Sequence, residues 1–103
     1  MEKMYIIDSI IQQEKARNLQ MQEEYQKMIS GLPQGSLLIR KLGNREYCYL
    51  HYKKNGKVYN QYAGTVQRAT EIRELITKRK HFENILINLQ NEYKRIEAME
   101  KVK

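Results

Sequence analysis

Two dipeptides, Gly43-Asn44 and Asn55-Gly56, constrain this chain more than any other feature. Glycine and asparagine accept the positive φ that a two-residue hairpin loop demands, and Asn-Gly is the strongest short hairpin signal. Between Ser36 and Ala63 the helical period of the flanking sequence is also lost. The spacing therefore predicts strands at about 36–42, 45–54 and 57–63, joined as an antiparallel meander.

The two loops also set the register. A loop at 55–56 pairs 54 with 57, 52 with 59 and 50 with 61, and a loop at 43–44 pairs 42 with 45, 39 with 48 and 37 with 50. Paired residues share a face, and faces alternate along a strand. One face then collects Leu37, Ile39, Cys48, Leu50, Tyr52, Tyr59, Gln61 and Ala63, apolar enough to cover helices. The other collects Leu38, Arg40, Tyr47, Tyr49, His51, Lys53, Val58, Asn60 and Tyr62, a cationic and aromatic surface.

Heptad stripes flank the meander. From Glu2 to Ser30, Met4, Ile7, Ile11, Met21, Tyr25 and Met28 fall on one stripe, interrupted by Glu14 and Asn18. Gly31 followed by Leu32-Pro33 is a helix stop, with glycine expected to take the left-handed cap. From Val66 to Lys101 the stripe runs Ile72, Leu75, Arg79, Phe82, Leu86, Leu89, Tyr93, Ile96 and Glu100, with Thr65 as the expected N-cap. Each stripe is narrow, so each helix needs a partner, and the other helix folded back antiparallel supplies it. That hairpin is expected to set Ile7 near Tyr93 and Met28 near Ile72. The fold class is thus α+β: a two-helix coiled-coil hairpin with a three-stranded β-meander inserted between the helices. At 103 residues the chain is expected to form one domain, 1–103, with helices at 2–30 and 66–101.

Charge bears on partners. The chain carries 19 Lys and Arg against 12 Asp and Glu, a net +7. Residues 35–68 hold seven of the cations (Arg40, Lys41, Arg45, Lys53, Lys54, Lys57, Arg68) against Glu46 alone, a net +6. Such asymmetry points to an anionic partner. Eight tyrosines and no tryptophan make the aromatic content amphipathic, which suits surfaces. Cations neutralise phosphates, and aromatic rings stack on bases. The candidate binding residues are therefore Arg40, Lys41, Arg45, Tyr47, Tyr49, His51, Lys53, Lys54, Lys57, Asn60 and Tyr62, with Lys41, Arg45, Lys54 and Lys57 at edges and hairpin tips. Asn60 can donate and accept at a base edge.

Other chemistries find little support. Cys48 and His51 are three apart on a strand and point to opposite faces, so they do not share a metal; Cys48 reads as a small buried apolar residue. Ser36 and Thr65 lack an evident base, and no glycine-rich phosphate loop occurs. The chain reads as a binding module with no enzymatic activity and no cofactor. A lone cysteine, a start without a signal-peptide apolar stretch and the short aliphatic run Ile85-Leu86-Ile87 predict a cytoplasmic protein with no membrane partner. Lys78-Arg79-Lys80 reads as a solvated helix face, with Arg79 pairing with Glu24 or Glu14 or snorkelling outwards. Ile6, Ile10, Ile76, Ile85 and Ile87 fall off the stripes, to pack under the sheet or form a second seam in a homodimer.

The segments Leu32-Pro33-Gln34-Gly35-Ser36, Tyr47-Cys48-Tyr49-Leu50-His51-Tyr52, Asn55-Gly56-Lys57-Val58 and Tyr62-Ala63-Gly64 resemble a family of small bacterial and phage proteins. Its pattern is helix, three-stranded sheet, helix. The resemblance covers about residues 32–100 and implies the fold but no activity. The sheet is also similar to the amino-terminal arm-binding domain of phage-type tyrosine recombinases, which place a three-stranded sheet in the DNA major groove. That likeness implies DNA contacts at Arg40, Tyr49, His51, Lys53 and Asn60; this chain adds two long helices. Small basic proteins of this kind also resemble phage and mobile-element accessory proteins, some of which inhibit CRISPR effectors by protein contact. The expected function is a nucleic-acid-binding accessory protein, DNA before RNA. The alternatives are a protein-interaction module acting on a nucleic-acid-handling complex, in an anti-CRISPR manner, and a structural coiled-coil adaptor.

Overall fold

The computed structural model describes residues 6–101. Helix α1 (Ile6–Ser30) is followed by strands β1 (Ser36–Leu42), β2 (Arg45–Lys54) and β3 (Lys57–Thr65), a 3-10 turn (Val66–Arg68) and helix α2 (Ala69–Lys101). The three strands form one antiparallel sheet in the order β1-β2-β3. The fold class read from the sequence is therefore the one observed. The expected start of α1 and the stripe residue Met4 lie outside the described residues. No helix among the described residues is long and apolar enough to cross a membrane.

Both hairpin loops form where expected. Asn55 (φ 52°) and Gly56 (φ 79°) both take positive φ, as a type I′ loop requires, whereas at 43–44 only Gly43 (φ 65°) does. The pairs 42 with 45, 39 with 48 and 37 with 50 are all present, as are 54 with 57, 52 with 59 and 50 with 61. The register departs at the end of β3, where Tyr49 pairs with Tyr62 but Cys48 pairs with Gly64. Ala63 is the extra residue of a β-bulge, and β3 runs two residues longer than expected. Thr65 precedes the 3-10 turn without a side-chain capping bond, so α2 starts at Ala69 rather than at Val66.

The described residues fall into two compact units. One is the sheet with its adjoining segments, Ser30–His81. Its core is Cys48, Ala69, Ile72 and Ile76, with Leu37, Ile39, Leu50 and Ala63 packed against it. Cys48 has no exposed surface and donates its thiol to the Thr65 carbonyl at 3.4 Å. Off-stripe Ile76 thus packs under the sheet. Arg79, expected to snorkel or reach Glu24 or Glu14, is only 9 % exposed and donates to the Pro33 carbonyl at 2.6 Å and the Gly35 carbonyl at 3.1 Å. Its five donors suit the carbonyls of a loop that has no ladder to join. Gly31 does not take the left-handed cap; the positive φ in this connection falls at Gly35 (φ 77°), immediately before β1, and α1 stops because Leu32-Pro33 cannot continue it.

The other unit is the antiparallel helical pair, residues 6–29 with 82–101. Leu89 and Ile96 are buried, and Tyr25 meets Phe82 edge-on with ring centroids 5.4 Å apart. Asn18 is buried, donating to the Leu89 carbonyl at 2.9 Å and accepting from Gln22 at 2.7 Å. Lys15 bonds Glu100 at 2.8 Å and lies 5.7 Å from the centre of the Tyr93 ring, and Gln12 also bonds Glu100. The hydrogen bond to Glu100 raises the Lys15 pKa above its ordinary value. Tyr93 therefore sits opposite Lys15 rather than Ile7, about two turns from the expected position. A heptad stripe looks the same after a slip of one heptad, and here buried Asn18 selects the alignment.

Candidate nucleic-acid interface

Strand alternation divides the eleven candidate residues. Arg40 from β1, Arg45, Tyr47, Tyr49, His51 and Lys53 from β2, and Asn60 and Tyr62 from β3 share one face. Side-chain contacts tie this face together across all three strands. The Arg40 guanidinium lies 5.7 Å from the Tyr49 ring centre; Tyr49 meets Tyr62 edge-on at 5.8 Å, and Tyr62 meets Tyr47 at 6.1 Å. Such contacts are each worth about 0.5–1.5 kcal/mol. They hold a cation against a rigid aromatic array rather than on a free stem.

Next in the row, His51 and Asn60 are directly paired, and His51 Nδ1 lies 2.7 Å from Asn60 Oδ1. An amide oxygen only accepts, so Nδ1 carries the proton. The Asn60 amide keeps both N–H donors for a ligand. Arg40, Arg45, His51, Lys53 and Asn60 are exposed, and Tyr62 retains 56 % of its surface, so the array is open to solvent. Glu46, the one carboxylate in the strands, pairs with Lys41 and alternates to the opposite face. The aromatic and cationic face therefore carries no acidic strand residue.

Lys41, Lys54 and Lys57 are not on this face. Each is an odd step from a face residue on its own strand, and Lys54 pairs with Lys57 on the side of Tyr52 and Tyr59. That side was expected to cover the helices throughout, and it does so only in part. Leu37, Ile39, Leu50 and Ala63 pack on the core, but Tyr59 is 41 % exposed and Gln61 is exposed. Tyr52 and Tyr59 instead stack on each other, with centroids 5.4 Å apart and planes at 18°, and the Tyr52 hydroxyl donates to Gln61 Oε1 at 3.4 Å. This second aromatic site was missed because alternation assigns a side but not how far along the strand the core extends.

Comparison with models of protein families, with curated proteins and with solved structures returned no match.

Proposed function

We propose that the protein binds DNA through the exposed face of its sheet. The observation that carries this reading is the array Arg40–Tyr49–Tyr62–Tyr47, continued by His51–Asn60 and Lys53, on a face without an acidic strand residue. Arg40, Arg45 and Lys53 supply charge for phosphates, while the tyrosines and Asn60 supply contact to sugars and base edges. If three phosphates are engaged, the slope of log affinity against log salt is about −2.7. Affinity for a generic duplex then falls roughly fortyfold between about 50 and 200 mM salt, measured by electrophoretic shift or anisotropy. A slope near zero, or no binding at low salt, removes this function.

A second reading, self-association through the helical pair, is favoured by its exposed isoleucines. Ile6 is 81 % and Ile87 53 % exposed, and Ile10, one turn from Ile6, is exposed too. Under this reading sedimentation gives a stable dimer, and Ile87→Lys makes it a monomer. Ile76, being in the core, is unsuitable for that test. A monomer for the unaltered chain ends this reading and leaves DNA binding untouched.

A further inference from the structure

Opposite the cationic face, the Ser30–His81 unit carries an open groove of about 450 Å³, within the size range of small-ligand sites. Leu50, Leu75 and Pro33 supply its apolar lining, with Tyr52, Gln61 and Lys54 beside them. Resting on the DNA-binding reading, we infer that this groove holds one unpaired nucleotide of the bound DNA, its base stacked along Tyr52 and its phosphate at Lys54.

Three observations select this occupant. The first is charge: Lys54 is the charged residue lining the groove, and no carboxylate lines it, so the site favours an anion. The second is shape. Tyr52 and Tyr59 are already stacked within 18° of parallel, and a planar base extends that stack without ordering new side chains. An acidic peptide meets the charge but has no ring to match. The third is hydrogen bonding. The Tyr52 hydroxyl occupies Gln61 Oε1, so the Gln61 NH2 group is left to donate to an acceptor on a base edge.

The path from one face to the other is charged as well. Lys53 and Lys54 are consecutive and alternate to opposite faces, and Lys57 pairs with Lys54 beside the 55–56 loop. A backbone leaving the cationic face at Lys53 meets cations on both sides of that hairpin end. The inference therefore predicts a preference for duplex next to single strand.

The test compares a blunt DNA duplex with the same duplex carrying a short single-stranded overhang, with 2-aminopurine as the first unpaired base. The overhang is expected to tighten binding roughly tenfold, the size of one base–aromatic stack, and to quench 2-aminopurine fluorescence. Tyr52→Ala removes both effects while blunt-duplex affinity is unchanged. Gln61→Ala, at an exposed position, lowers the overhang preference without depending on a half-buried ring. Equal affinity for the two DNAs, with blunt duplex bound, overturns the groove and leaves the sheet face standing. Overhang binding without blunt-duplex binding does the reverse. Binding of neither overturns both.

Discussion

Replacing Arg40, Lys53 and Tyr49 together with alanine lowers duplex-DNA affinity by roughly a hundredfold and reduces the salt slope by about 2. Each lost charged contact is worth about 1.5 kcal/mol, and 1.4 kcal/mol is a factor of ten. Each lost phosphate contact also removes nearly one from the slope. Tyr49 belongs in the set because it backs the Arg40 guanidinium and contacts Tyr62. Arg40 and Lys53 are exposed and Tyr49 is half-buried, away from the core cluster, so thermal unfolding is expected to remain cooperative. The control is Lys94→Ala with Arg95→Ala, an equal loss of charge at exposed positions of α2 in the helical pair. If that pair weakens binding as much as the triple variant, net charge rather than the sheet face holds the DNA.

Gly35→Ala destabilises the fold by about 3 kcal/mol or more. Gly35 has a φ of +77°, which costs a residue with a side chain about 1–2 kcal/mol. A methyl group there would also lie 2.2 Å from the His51 carbonyl oxygen and 2.7 Å from Tyr52 Cβ. Backbone cannot swing aside like a flexible side chain, so the loop must move, and overpacking of this kind costs about 1–3 kcal/mol. Movement also pulls the Gly35 carbonyl from Arg79. Gly43→Ala isolates the conformational part, since Gly43 has a φ of +65° and nothing within 4 Å of the added carbon. Chemical denaturation should show about 1 kcal/mol lost at Gly43 and several-fold more at Gly35. Equal losses at both positions mean that the close approach to β2 contributes nothing.

The sequence makes the sheet legible and the helical pair only partly so. Asn55-Gly56 and Gly43-Asn44 fix pairing outward from each loop, so Leu37, Ile39, Cys48 and Leu50 are placed correctly on the core side. That logic fails at Ala63, because a bulge far from the loop leaves the spacing of the loop unchanged. The cationic face is legible for the same reason that the core is: both follow from alternation. The Tyr52–Tyr59 site is not, since which strand residues lie beyond the helix depends on where α2 begins, and that follows from the 3-10 turn at Val66–Arg68. Arg79 falls on an apolar stripe by periodicity, and its bonds to the loop carbonyls of Pro33 and Gly35, which periodicity does not reveal, help make burial there tolerable.

Buried Asn18 has a consequence for how the two long helices meet. Any sliding of one along the other would forfeit the bond from the Asn18 amide to the Leu89 carbonyl and leave a buried N–H donor without that partner, while the bond from Gln22 on the same helix would remain. Leucine at that position would offer more adhesion and no preferred stopping point. The amide works as a detent, trading grip for a unique alignment.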